Sequence, residues 1–161
     1  MNRSTLFPAL AVLFVTSLVQ AADIRRISLE GREGVPAPAV EPGQDGIDRI
    51  HQVDTPALEL FPTQQKPSRG TVLVCPGGGY AILAINHEGY FVAQKLNEFG
   101  YDVAILLYRV NAGSETRELA LADAQAALIL LRARGGELGL HTASARIDQH
   151  QPLGPHARRL V

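Results

Sequence analysis

GTVLVCPGGGY, residues 70–80, is the stretch from which the fold is read. Thr71 to Cys75 form an unbroken apolar, β-branched run, which suits a parallel strand covered on both faces. Pro76-Gly77-Gly78-Gly79 stops it abruptly. Three residues without Cβ let backbone approach a ligand closely and aim N–H groups at it. Two chemistries use such a loop: a phosphate cradle, or a set of donors for a developing negative oxygen. Taken alone, three glycines are also compatible with a plain tight turn. A P-loop ends in Gly-Lys-Ser/Thr, whereas this segment continues Gly79-Tyr80-Ala81. A dinucleotide fingerprint requires a further glycine where Ile82 stands. The donor loop, an oxyanion hole, is the better fit.

Outward from this segment the pattern alternates. Asn86 to Phe99 reads as a helix with Val92, Leu96 and Phe99 on one stripe, and Gly100 stands where a left-handed C-cap is expected. Val103 to Leu107 is a second buried strand. After a polar loop, Asn111 to Thr116, a helix is expected from about Arg117 to Arg134, with the stripe Leu121, Ala124, Leu128 and Leu131, ended by Gly135-Gly136. Strand, helix, strand, helix predicts an α/β fold, a mostly parallel sheet flanked by helices. Ligands of such sheets sit at the carboxyl ends of the strands, where the glycine triplet lies. Upstream, Ile24 to Leu29 reads as a short strand, and residues 31–48 as a polar Gly/Pro connector that closes a lead-in over 22–48. Arg49 to Val53 and Ala57 to Phe61 read as two short strands of a hairpin, opening a domain over 49–140. Downstream, HTASARIDQHQPLGPHARRLV, residues 141–161, breaks the pattern and is expected to be a disordered tail, with a faint strand signal at Ala145-Arg146-Ile147.

Composition narrows the function. The 161 residues are 46% apolar and 19% charged, an ordinary globular mix, and the net charge of -1 leaves no footprint for nucleic acid. The single cysteine, Cys75, excludes a disulfide framework and reads as a buried inert thiol rather than a nucleophile. Residues 1–21 have the charged start, apolar centre and small-residue site of a secretory signal peptide, so the chain is expected to be exported, to the periplasm or outside the cell. No later segment is long and apolar enough to span a bilayer. His87-Glu88 lacks the second histidine of H-E-x-x-H, and His141, His150 and His156 have no metal-ligand spacing, so neither metal nor cofactor is expected. Glu88 is placed in a first helical turn, where the dipole favours a carboxylate.

GTVLVCPGGGY, NHEGYFVAQKLNEFGYDVAILLYRV and LALADAQAALILLRARGGELGL, in this order over about residues 57–140, resemble the N-terminal half of an α/β-hydrolase esterase or lipase of the acetyl esterase and acetylxylan esterase kind. The resemblance implies an oxyanion hole built from backbone N–H groups of Gly78, Gly79 and Tyr80. It implies that His87 is a structural hydrogen bonder rather than a catalytic group. It implies that Arg109 of Tyr108-Arg109 fixes its loop through a buried ion pair, the alternative being a solvated strand-end arginine, and that Asp123 of the Asp-Ala helix is structural. The substrate it implies is a small ester or acetylated carbohydrate.

A hydrolase of this kind also needs a nucleophile elbow, G-x-S-x-G, after the next strand, followed by an acid and a histidine. Ser28, Ser68, Ser114 and Ser144 all lack the flanking glycines. The resemblance ends near Leu140, about one strand short of the elbow. The expectation is therefore a fragment, truncated or frameshifted, that keeps the donor half of the site without the triad and is inactive alone. The alternatives are a noncatalytic secreted binding protein and a half-enzyme complemented by a second chain.

Overall fold

The computed structural model describes residues 24–142 and 146–148; the candidate signal peptide and most of the tail read as disordered lie outside the described residues. Eight strands and two α-helices are present among them: β1 (Arg25–Ser28), β2 (Glu41–Pro42), β3 (Asp48–Ile50), β4 (Ala57–Phe61), β5 (Thr71–Val74), β6 (Leu83–Ala84), α1 (Phe91–Glu98), β7 (Asp102–Leu107), α2 (Thr116–Arg134) and β8 (Arg146–Asp148). A π-helical turn, Asn86–Tyr90, leads into α1, and a 3₁₀ turn, Gly113–Glu115, leads into α2.

The main sheet has the order β1-β4-β7-β5-β8, and a small second sheet the order β2-β3-β6. β5 pairs in parallel with both β7 and β8, while β4 is antiparallel to β7 and to β1. The sheet is therefore mixed, with β4 the reversed strand. β5 and β7 are buried along their whole length, as apolar runs sandwiched between helices should be. From β5 the chain crosses through α1 to β7 on one side, then through α2 to β8 on the other. Right-handed crossovers in opposite directions send the helices to opposite faces and open a crevice at the carboxyl end of β5.

Several sequence expectations change here. Arg49–Val53 and Ala57–Phe61 do not form a hairpin: Asp48–Ile50 joins the small sheet between β2 and β6, and Ala57–Phe61 lies between β1 and β7 in the main one. Each helix buries only part of the stripe expected of it: Ala124 and Leu131 of α2 are buried, and Val92, Leu96 and Leu128 pack part-buried against the core. In α1 the buried residue is Ala93, while Phe99 is 61% exposed; in α2 the face is Ala120, Ala124, Ala127 and Leu131, with Leu121 57% exposed. The strand read faintly at 145–147 is present as β8, in register with β5 from Val72↔Arg146 to Val74↔Asp148. The further strand expected after α2 is therefore present at the edge of the main sheet.

Two pins hold the frame. Gly100, at φ +84°, ends α1 in the left-handed conformation expected, with the Tyr101 N–H donating to the Leu96 carbonyl at 3.0 Å. Asp102, fully buried at the start of β7, accepts the Thr63 N–H at 2.9 Å and the His141 N–H at 2.8 Å, tying the end of β4 and the chain after α2 to one carboxylate. The core between helices and sheet is built on Ile27, Leu58, Leu73, Ile105, Leu106 and Leu131.

Candidate active site

The loop after β5 leaves the strand as Cys75-Pro76 and turns through the glycines at the crevice. Four of its carbonyls are bonded within the protein. The Tyr108 hydroxyl donates to Pro76 O at 2.6 Å, Ala84 N–H to Gly77 O at 2.9 Å, Ala81 N–H to Gly78 O at 3.2 Å, and Asn111 N–H to Tyr80 O at 2.9 Å. The amides behave oppositely. Gly77 N–H donates to Glu88 Oε2 at 3.0 Å, whereas the N–H groups of Gly78, Gly79 and Tyr80 meet no acceptor among the described residues. Backbone donors are seldom left unpaired unless solvent or a ligand takes them. These three lie on residues that solvent reaches.

The backbone explains the residue choice. Gly78 has φ +147°, and a Cβ there would collide with the Ile82 carbonyl oxygen, so only glycine fits. Tyr80, at φ +66°, and Asn111, at φ +55°, are the two non-glycine residues with positive φ among those described, and they share a hydrogen bond. Strained backbone of this kind costs on the order of 1–3 kcal/mol per residue and persists where the surroundings enforce it. Beside them lies an open pocket of about 230 Å³, lined by Gly79, Tyr80, Ala81, Asn111, Gly113 and Thr116. The Arg117 guanidinium stands over the Tyr80 ring, 5.8 Å from its centroid, adding positive charge at the rim.

The fold also places the other sequence candidates. Glu88 sits in the π-helical turn, and beyond its place near a helix start it holds the Gly77 amide. His87 is exposed, packs edge-on against Phe91 at 5.5 Å, and its ring makes no hydrogen bond among the described residues, so the bonding role read for it does not appear. Arg109 is fixed to Asp123 by three bonds: its own N–H at 2.9 Å, Nε at 3.0 Å and Nη2 at 2.6 Å. Asp123 is buried on α2, so this grip fastens the end of β7 to that helix. Ser114 lies exposed in the 3₁₀ turn with no histidine bonded to it among the described residues. No group of three His, Cys, Asp or Glu side chains suited to a metal occurs among the described residues.

Sequence reading missed Asn86, Tyr108 as a loop anchor, and Asn111. Asn86 accepts the His87 N–H at 2.8 Å and the Asp48 N–H at 2.9 Å, and donates to Gly46 O at 2.9 Å, lashing the lead-in segment to the turn that carries Glu88. An asparagine directly before a helical pattern is a capping signal that could have pointed to it.

Cys75 is partly buried against the core, and burial pushes its thiol up to about 12 from an ordinary 9.0. The folded chain is expected to resist alkylation at neutral pH and to react promptly in urea, as thiol titration would show. The unfolded thiol ionises first, so this group lowers stability as pH rises from about 9 towards about 12.

Comparison with known proteins fits this topology. The chain is 36% identical over 52 residues to an acetylxylan esterase of Xylanibacter ruminicola, a match covering 32% of this chain and 11% of the relative. It superposes on the acetyl ester-xyloside bifunctional hydrolase of Caldicellulosiruptor lactoaceticus with a TM-score of 0.52 at 26% identity, covering 70% of this chain and 42% of that one. An α/β hydrolase from a Medee basin deep-sea metagenome, with a TM-score of 0.52 at 20% identity, covers 78% of this chain and 45% of its own, and shares the fold. The described residues form part of an α/β-hydrolase fold, similar to that of these enzymes. The domain spans less than half the length of these solved relatives. No family model matches the chain. No helix among the described residues is long and apolar enough to cross a membrane.

Proposed function

We propose that the domain carries the oxyanion-holding half of an exported carboxylic-ester hydrolase, with Gly78, Gly79 and Tyr80 presenting their N–H groups to the negative oxygen of an acyl-transfer intermediate. One observation carries the reading: at the carboxyl end of β5 the carbonyls of Pro76, Gly77, Gly78 and Tyr80 are bonded, whereas three successive amides, those of Gly78, Gly79 and Tyr80, are not. A short acyl ester of a carbohydrate is the substrate class supported by the likeness to an acetylxylan esterase. Arg109 and Asp123 keep the neighbouring loop in place, and Glu88 closes the one amide that would compete.

Chemistry in such a site needs an attacking hydroxyl activated by a base. β8 runs beside β5 in parallel, so its carboxyl end at Asp148 lies on the same side of the sheet as the donor loop. From there the sequence continues QHQPLGP, without serine. Oxyanion donors alone sustain about 10³–10⁴-fold over water in an otherwise intact enzyme, an upper bound here. The purified chain is therefore expected to hydrolyse 4-nitrophenyl acetate no faster than buffer, and Gly78→Pro no differently. Turnover that clearly exceeds buffer and disappears in Gly78→Pro would overturn the expected inactivity of the chain on its own.

A second reading, complementation by another chain that brings the triad, is favoured by β8, whose outer edge has no partner among the described residues. Ester hydrolysis appearing only on mixing with that chain would support it.

A further inference from the structure

Building on the oxyanion reading, we infer that Glu88 is a positioning residue, whose carboxylate sets the direction of the donor loop by capturing its first amide. Four successive N–H groups, from Gly77 to Tyr80, are available on this loop, and one is spent. The Glu88 carboxylate lies over the Gly77 Cα, so a Cβ there would stand 2.5 Å from Oε2, 3.2 Å from Cδ and 3.3 Å from Oε1. A side chain at 77 would have to push the carboxylate off its bond, although the backbone itself does not demand a glycine there. The bond at 3.0 Å spans eleven positions of sequence and is charge-assisted, hence about twice as strong as one between neutral groups.

The surroundings of this bond are closely packed and hydrogen-bonded. Gly89, next to Glu88, is buried with Ile85 Cδ1 at 3.1 Å and Pro76 Cγ at 3.4 Å from where its Cβ would be, so the turn packs closely against the start of the loop. Asn86 fastens the start of that turn and Tyr108 holds Pro76 O. With Gly77 N–H held from below and Tyr80 O held by Asn111, both ends of the donor loop are fixed, and the three amides between them face away from the protein's own acceptors. A carboxylate is suited to this task because it accepts without offering a donor. Glutamine keeps an acceptor oxygen, whereas alanine removes it.

The test uses the full chain, ¹⁵N-labelled, with amide exchange and shifts read residue by residue, and acetate as the oxyanion probe against chloride at constant ionic strength. In the unsubstituted chain Gly77 is expected to exchange slowly and to ignore acetate, while Gly78, Gly79 and Tyr80 exchange fast and shift with it. Glu88→Ala is expected to raise Gly77 exchange by about tenfold, the loss of roughly 1.4 kcal/mol of protection, and to weaken the acetate response at 78–80 with the urea midpoint little changed. Glu88→Gln should restore both readouts within about threefold. If Glu88→Ala leaves Gly77 exchange and the acetate response as they were, the positioning role is overturned and the oxyanion reading survives. If acetate moves none of the three amides in the unsubstituted chain, the oxyanion reading itself falls, and Glu88 with it, even where Gly77 remains protected.

Discussion

Substituting alanine for Arg26 is expected to remove about 3–5 kcal/mol of stability, read as a fall in the urea midpoint. Arg26 and Glu59 are directly opposed partners in the β1–β4 register, and Arg26 Nε lies 2.6 Å from Glu59 Oε1. Their side chains are 8% and 1% exposed, and Glu59 Oε2 meets no hydrogen-bond partner among the described residues. Removing the guanidinium leaves a buried carboxylate uncompensated, which is the costly event. The charge also reaches the site turn: burial, and then the Glu59 carboxylate, push the Tyr90 phenol above its ordinary range. Against a typical total of about 5–15 kcal/mol, the loss would leave a measurable unfolded population. The double substitution Arg26→Met with Glu59→Leu should instead be near neutral, because both charges go and the volume stays. A single variant within about 1 kcal/mol of the parent would mean that water reaches the pair.

Gly78→Ala is the second large effect, expected at about 2–4 kcal/mol, from a φ closed to side chains plus overpacking. The added methyl would strike the carbonyl of Ile82 and lie 2.8 Å from its Cγ1. Backbone cannot swing aside as a flexible side chain does, so the loop itself must move, carrying the three donors with it. Gly79→Ala is the control: φ is +64°, but nothing lies within 4 Å of the new methyl, so about 1–2 kcal/mol is expected. Equal costs at the two positions would show that the close approach at Gly78 does not govern the loop.

Much of this architecture is legible without coordinates. The run Thr71 to Cys75, the helices beginning near Asn86 and Arg117, and the strand Val103 to Leu107 declare themselves through periodicity and end at glycines. The donor loop is legible for the same reason, since a glycine triplet after a buried strand is a local pattern with few uses. Glu88 is visible only as a helix-start carboxylate: its position in a helical turn is local, whereas its partner Gly77 lies across a chain reversal. Asn111 and Tyr108 give no such signal, because an ordinary polar loop residue and a strand-end tyrosine become anchors only when β7 is laid beside β5.

The linear sequence by itself determined the strand-helix alternation and the cluster of Cβ-free residues at a strand end, because backbone preference and apolar spacing act between near neighbours. Tertiary structure decided which parts of the helix stripes are buried, where β3 and β4 pair, that the faint signal at 145–147 becomes the strand Arg146–Asp148, and which loop amides stay unpaired. Each of these depends on an acceptor, an edge or a packing surface supplied from far along the chain. β8 has little apolar pattern of its own and owes its conformation to the free edge of β5.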